Sequence, residues 1–248
     1  MLSGLLSHFS PRAAFDRLRL SFRDKRCPVC RSVHMDEGFL CLRCSAKIEL
    51  KPDNICINCG KELNSPDAGD RSCISCKHSR PHFSRLYFYG VYDELLREMI
   101  LGWKFYNQFG NSAVFENYIA NLCHEIPETS QPDIIIPVPL HTSRLQMRGF
   151  NQSRILAKGA ACATGTALSD SALVRVRRTI PQTRLSGVKR RENLLEAFIA
   201  DSNQVSGKKI LLIDDVFTTG STADECARTL RAGGASGVEV MALARALI

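Results

Sequence analysis

Eight of the eleven cysteines lie between residues 27 and 76 as four Cys-x-x-Cys pairs: Cys27/Cys30, Cys41/Cys44, Cys56/Cys59 and Cys73/Cys76. A Cys-x-x-Cys turn aims two thiolates at one point. Two such turns complete the tetrahedral shell that Zn2+ prefers and leave no position open for a substrate, so four pairs imply two structural zinc sites. Consecutive pairs are expected to share a metal, because that arrangement closes the shortest loops. The competing readings are weaker. A redox dithiol does not come in four copies outside a βαβ context, and a disulfide framework belongs to a secreted chain. His34, His78 and His82 are spare ligands by residue type and read as surface histidines. A stretch this short cannot fold on apolar burial alone, whereas a structural zinc supplies about 10 to 16 kcal/mol in peptide models.

The start of the chain, MLSGLLSHFSPRAAF, has neither a basic opening nor an uninterrupted apolar stretch with a small-residue cleavage site. No secretory signal is therefore expected, and the cysteines are assigned to a reducing cytoplasm. No apolar run approaches the roughly 18 residues of a membrane span, the longest candidates being Ile134 to Leu140 and Ile210 to Ile213. Leu5, Leu6, Phe9, Phe15 and Leu18 give residues 1–22 an amphipathic character, which is expected to pack onto the body. Of the 248 residues, 44% are apolar and 23% charged, the balance of a folded chain.

Charge is unevenly spread. Residues 141–191 hold 11 basic side chains against one acidic, a local +10 within a chain of net +8, while residues 81–140 are net negative. Such clustering favours an anionic partner, whether phosphate, pyrophosphate or nucleic acid, over a uniformly basic solubility surface.

After the cysteines an α/β pattern takes over. Residues 93–101 place Leu95, Leu96, Met99 and Ile100 at helical spacing, and a second helix is read over 112–123. Pro132 to Pro139 holds a β-branched run bounded by prolines, a buried strand, with a crossover helix over 153–163. A second buried strand covers 208–213, a helix 223–232 ends at Gly233-Gly234, and a further strand runs over 238–244. Strands alternating with helices predict a parallel sheet, whose ligands sit at the carboxyl ends of strands, here just after Ile136 and Ile213.

The second of those ends carries the strongest chemistry. Four apolar residues are followed by Asp214 and Asp215, then by the hydroxyl-rich turn Thr218, Thr219, Gly220, Ser221 and Thr222 that opens a helix. Unpaired amides and partial positive charge at a helix start make this turn an anion cradle. The two carboxylates would repel the same anion, so they must face sugar hydroxyls or Mg2+. No GxxxxGK[ST] loop and no GxGxxG turn is present.

This run resembles the phosphoribosyl pyrophosphate (PRPP) motif of type I phosphoribosyltransferases. By that resemblance Asp214 and Asp215 hold the ribose with Mg2+, and Thr218, Thr219, Gly220, Ser221 and Thr222 hold the 5′-phosphate. Upstream, Pro137-Val-Pro-Leu-His141, Arg148-Gly-Phe-Asn-Gln152, Pro181-Gln182, Leu185-Ser186 and Arg190-Arg191-Glu192-Asn193 resemble the ComF family of bacterial competence-associated proteins, including its ComFC and GntX branches. The resemblance runs from Cys27 almost to the end. It implies an α/β fold in which a small double zinc ribbon built on the eight cysteines precedes a parallel-sheet, type I phosphoribosyltransferase-like domain. The expected division is an amphipathic segment over 1–22, the ribbon over 23–80 and the transferase-like domain over 81–248.

If PRPP binds at residues 214–222, its pyrophosphate must be held from another strand end. The loop after Pro139 supplies His141, Arg144 and Arg148 for that role, and residues 177–191 form a basic loop able to close over the site. Trp103, Lys104 and Phe105 form a stacking wall or part of the core, and no residue identifies the acceptor. Two function classes stay open: a PRPP-dependent phosphoribosyltransferase of unknown acceptor, and a DNA-uptake factor that senses PRPP. The second would bind single-stranded DNA weakly, through Lys189, Arg190, Arg191 and the zinc-ribbon face, with a helicase-like partner.

Overall fold

A computed structural model describes residues 26–36, 38–63, 71–106, 108–177 and 196–247. These fall into two compact units, one ending at Ser45 and the other running from Ala46.

The described part of the first unit is a single cysteine knuckle. Arg26 and Val33 bridge across the Cys27–Cys30 turn, and helix α1 (Leu42–Ser45) follows Cys41 and holds Cys44. The second unit opens with a copy of this motif, in which Ile55 bridges Glu62 across the Cys56–Cys59 turn and helix α2 (Ile74–His78) follows Cys73. The repetition extends to the backbone. The residue after each turn has a positive φ, +63° at Arg31 and +69° at Gly60, and donates its amide to the carbonyl of Cys27 or Cys56. Only at the second position is glycine demanded by space as well, since a Cβ on Gly60 would lie 2.7 Å from the Phe88 ring.

The remainder of the second unit is built on a parallel five-stranded sheet. Its chain order is strand β1 (Leu86–Val91), helices α3 (Glu94–Phe105) and α4 (Asn111–Cys123), strand β2 (Ile134–Pro137), helices α5 (Thr142–Arg148) and α6 (Gln152–Thr164), and strand β3 (Ala167–Leu168). Strands β4 (Leu173–Arg175) and β5 (Phe198–Ala200), helix α7 (Ser202–Val205), strand β6 (Lys209–Phe217), helix α8 (Ser221–Ala232) and strand β7 (Gly237–Arg245) complete it. The order across the sheet is β1-β7-β6-β2-β3, every neighbour parallel, with β4 and β5 paired separately as an antiparallel hairpin.

Both faces of this sheet are covered, which explains its continuous apolar strands. Ile210, Leu212, Val240 and Ala242 point to the face packed by Ala223, Cys226, Ala227 and Leu230 of α8 and by Leu173 and Phe198 of the hairpin. The alternate residues Leu211, Ile213, Met241 and Leu243 are equally buried and point to the other face. Helix α3 buries Leu95, Leu96, Met99, Ile100 and Trp103, the expected stripe, and starts at Asp93, whose side chain accepts from the Glu94 amide. Helices α4 and α6 cross closely because Gly159 has no side chain; a Cβ there would meet the Glu116 carbonyl oxygen at 3.0 Å.

The expected helices and strands are present, with two differences of consequence. Strand β6 runs on to Phe217, so the acidic pair sits inside the strand rather than after it, held in the ladder by pairing of Asp214 with Ala242 and Val216 with Ala244. Strand β1, the β4–β5 hairpin and the short helix α5 are additions. Residues 178–195, with Lys189, Arg190 and Arg191, and the segment 1–22 lie outside the described residues.

Candidate functional site

The two acidic residues of β6 leave the strand on opposite faces, as alternation requires. Asp214 Oδ1 accepts from Ser153 Oγ at the start of α6 (3.1 Å) and from the Asp215 amide (2.8 Å). Asp215 Oδ1 meets Lys104 Nζ, from the last turn of α3, at 2.8 Å. Burial, reinforced by the adjacent Asp215 charge, raises the Asp214 carboxyl to about 7, against the pull of the Asp215 amide, Lys104 and Ser153.

Directly after the strand the chain turns at Gly220, whose φ of +78° and the Phe217 ring 2.5 Å from a notional Cβ admit no larger residue. Gly220 is also the N-cap of α8 and brings no side chain to the helix start; the Ser221 amide donates instead to Thr219 Oγ1 at 3.5 Å. Thr219 Oγ1 and Ser221 Oγ lie 2.9 Å apart at this mouth. Thr218 and Thr222, partly buried, complete the turn.

Basic groups gather at the same end of the sheet from two other elements, α5 and β4. His141 caps α5, its Nδ1 accepting from the Ser143 amide at 3.2 Å, so that nitrogen is turned inward on the helix. Arg148, at the end of α5, donates Nη1 to Gln152 Oε1 at 2.7 Å and lies 5.1 Å from the centre of the Phe105 ring. Burial lowers its pKa; the Asp215 charge opposes that shift and Arg144 adds to it, so both groups share the electrostatic environment of the acidic pair. Arg175 on β4 belongs to the same environment, its pKa lowered by burial and by Arg144 and raised by Cys226 and Asp214. Asn151 fixes the loop between these elements, donating Nδ2 to the Val138 carbonyl while its Oδ1 caps α6. His141, Arg144 and Arg148 thus stand at the carboxyl end of β2, beside the carboxyl end of β6.

Trp103 is fully buried, donates Nε1 to Ser112 Oγ and packs against Phe115 and Phe150, so it is core rather than stacking wall. Phe105 is exposed. Ser153 and Arg175 are parts of the site that sequence reasoning did not assign, and Lys104, read there as part of a stacking wall or of the core, instead pairs with Asp215. A carboxylate pair on a buried strand demands a cation from another element, the one signal that pointed towards Lys104; nothing local distinguishes Arg175 within its basic segment.

The sulfurs of Cys27, Cys30, Cys41 and Cys44 lie within 4.8 Å of one another, as do those of Cys56, Cys59, Cys73 and Cys76, so consecutive pairs converge. Cys30 and Cys41, and likewise Cys59 and Cys73, approach to 3.6 Å between sulfurs, close to the ~3.8 Å edge of a tetrahedron with 2.3 Å metal–sulfur bonds. The Cys73 amide donates to Cys56 Sγ at 3.2 Å. Hydrogen bonds from Ser32 hold Cys30 at about 6, whereas burial pushes Cys44 to about 12 and Cys59 to about 11. Four thiols this close ionise together only around a cation, so each cluster fits a tetrahedral metal with no open position.

No family model matches the chain. Among solved structures, the allosteric regulatory enzyme of purine biosynthesis is 24% identical with a TM-score of 0.37, over 54% of this chain and 26% of that one. A glutamine PRPP amidotransferase from B. subtilis is 23% identical with the same TM-score and coverage, so this chain spans about a quarter of either length. Whole-chain relatives are nearer. DNA utilization protein YhgH of Salmonella typhi is 30% identical over 225 residues, 89% of this chain and 97% of that protein. Competence protein ComFC of Streptococcus pneumoniae is 29% identical over 213 residues, 85% and 89% of the two chains. Competence protein F of Haemophilus influenzae is 32% identical over 233 residues, 92% of this chain and 100% of that protein. Aligned along the whole of such a relative, the chain belongs to the ComF family of competence protein F, ComFC and YhgH.

Proposed function

We propose that the chain binds PRPP at the carboxyl ends of β2 and β6 and acts as a phosphoribosyltransferase-like protein in DNA uptake or utilization. The observation that carries this reading is the sequence of groups along β6 and α8: two carboxylates on the strand, a glycine turn, then a hydroxyl-rich helix start whose N-cap residue has no side chain. The amides and hydroxyls of Thr218 to Thr222 take the 5′-phosphate. Asp214 and Asp215 accept from the ribose hydroxyls; Lys104 holds Asp215 by one oxygen and leaves Oδ2 to the ligand. Arg144 and Arg148, with His141 at the helix start, face the pyrophosphate. Transfer breaks the C1′–oxygen bond, its electron pair leaving on pyrophosphate, while the acceptor bonds to C1′. The protein's part is to position the reactants and stabilise the charge that develops. Mg2+ would supply further neutralisation, and the aspartates are hard oxygen donors of the kind it takes. The two cysteine clusters hold zinc as structural metal.

Pyrophosphate release from PRPP and Mg2+ over a panel of nucleobases tests the enzymatic reading. Turnover with any base supports it, and PRPP binding with no turnover on any base replaces it with a sensing role. The second reading, weak binding of single-stranded DNA with a helicase-like partner, is favoured by the +10 of residues 141–191 and by the names of the relatives. Its measurement is anisotropy of a labelled oligonucleotide across a salt series. A steep loss with salt, partly relieved by changing Lys189, Arg190 and Arg191 to alanine, supports it, and salt-independent binding counts against it.

A further inference from the structure

Arg245 ends strand β7 and is buried, with 8% of its surface exposed. A guanidinium taken that far from water costs free energy unless it is paired and hydrogen-bonded. It meets the second cysteine knuckle. Nε donates to the Cys59 carbonyl at 2.5 Å, and Cγ lies 3.4 Å from where a Cβ on Gly60 would stand, at the residue that closes the knuckle turn. Burial lowers the Arg245 pKa, and the charges of Cys59, Cys56 and Cys76 oppose that shift, so three of the four sulfurs act on this one cation. Four thiolates on one divalent ion keep a net negative charge, which attracts the guanidinium.

The same side chain also meets the strand that leads into the phosphate turn. Arg245 and Phe217 are partners in the last rung between β7 and β6, and the Ala246 amide donates to the Phe217 carbonyl at 2.9 Å. Arg245 Cζ stands 5.4 Å from the centre of the Phe217 ring, within the range of a cation–π contact. That buried ring lies edge-to-face with Phe83 at 6.0 Å and packs against Gly220, the turn residue whose conformation it restricts. The first helical bond of α8 follows at once, from the Asp224 amide to the Gly220 carbonyl at 2.8 Å. A series of contacts therefore runs from the Cys56–Cys59 turn through Arg245 and Phe217 to the start of α8, all within the second unit.

We infer that Arg245 is a positioning residue that ties the second cysteine cluster to the phosphate turn, residues 218–222, with the Phe217 ring as the intermediate. The cluster and the Cys59 carbonyl fix the guanidinium, the guanidinium fixes the ring, and the ring shapes the turn at Gly220. The consequence for ligand affinity rests on the PRPP reading; the coupling itself does not.

Hydrogen exchange followed by mass spectrometry, on the full chain with its metals, reads the turn without any ligand. R245M is expected to speed exchange over residues 218–224 by at least tenfold and leave residues 134–136 of β2 within twofold, whereas a general loss of stability would speed both. R245M should also release zinc to a chelator at least threefold faster. F217L should loosen the turn in the same way and leave zinc release within twofold of wild type. Because both side chains act in one series, R245M/F217L should loosen the turn no more than the larger single change. If R245M does not fold, R245K is read in its place, with at least a threefold effect on the turn expected. PRPP affinity should fall at least fivefold in the same variant. Absence of PRPP binding to the wild type removes the PRPP reading and leaves exchange and zinc release to judge the coupling. Exchange over 218–224 that is unchanged, or that rises equally in β2, overturns the inference, as does unchanged zinc release in the Arg245 variant.

Discussion

Lys104 Nζ stands 2.8 Å from Asp215 Oδ1, with only 14% of either side chain exposed, and ties the last turn of α3 to the strand that carries the candidate PRPP site. Removing one partner of such a pair leaves a poorly solvated charge behind. K104M is expected to cost about 1 to 3 kcal/mol, below the full penalty of a wholly buried pair because each group keeps some solvent. In a unit of this size that lowers the thermal midpoint by several degrees. K104M/D215N should recover most of the loss. A double variant no more stable than K104M would show that the pair is not the cause.

The Asp214 carboxyl, raised to about 7, gives a pH dependence of known sign. Its folded value lies above the ordinary carboxylate range near 4, so the native state holds the extra proton between these limits. The contribution is fully present below about 4 and is lost as pH rises through about 7. D214N should therefore flatten the decline of stability between pH 5 and 8, as followed by chemical denaturation. PRPP needs the ionised carboxylate for its hydroxyls, so affinity should rise over the same interval in the wild type.

Metal analysis should return two zinc ions per chain. C27S is expected to lose one and leave the second unit's melting unchanged. C56S should lose the other and destabilise that unit, because its knuckle is built into the sheet: the Leu86 amide donates to the Ile57 carbonyl at 2.7 Å, and Arg245 Nε to the Cys59 carbonyl at 2.5 Å. Equal effects of the two substitutions on the second unit would contradict this.

The matched turns give a further comparison. Gly60 and Arg31 share a left-handed backbone, but only Gly60 has the Phe88 ring against it. G60A should destabilise by more than about 1 kcal/mol, while R31G should be neutral or stabilising by up to about 1 kcal/mol. Urea denaturation distinguishes them, and a harmless G60A would show that the ring has room to move.

The parts of this molecule that were legible in advance are those with local causes. Cysteine spacing anticipated both clusters and their pairing, since a Cys-x-x-Cys turn converges by its own geometry. The apolar run of β6 followed by a glycine turn anticipated the strand-to-helix transition. What escaped depends on long-range pairing. Strand β1 became a strand by lying along β7, more than 150 residues away, and Lys104 acquired its role from Asp215, 111 positions further on. Asp214 and Asp215 read as loop residues because carboxylates rarely continue a buried strand, yet the β7 ladder extends past them.

The central claim is that residues 214–222 form a PRPP site, and titration calorimetry of PRPP with Mg2+ tests it most directly. The D214N/D215N variant loses two oxygens that accept from hydroxyls and gains amide donors in their place. The account expects saturable one-site binding to the wild type and no measurable binding to a variant whose circular dichroism and zinc content are unchanged. Unimpaired affinity in that folded variant would contradict it.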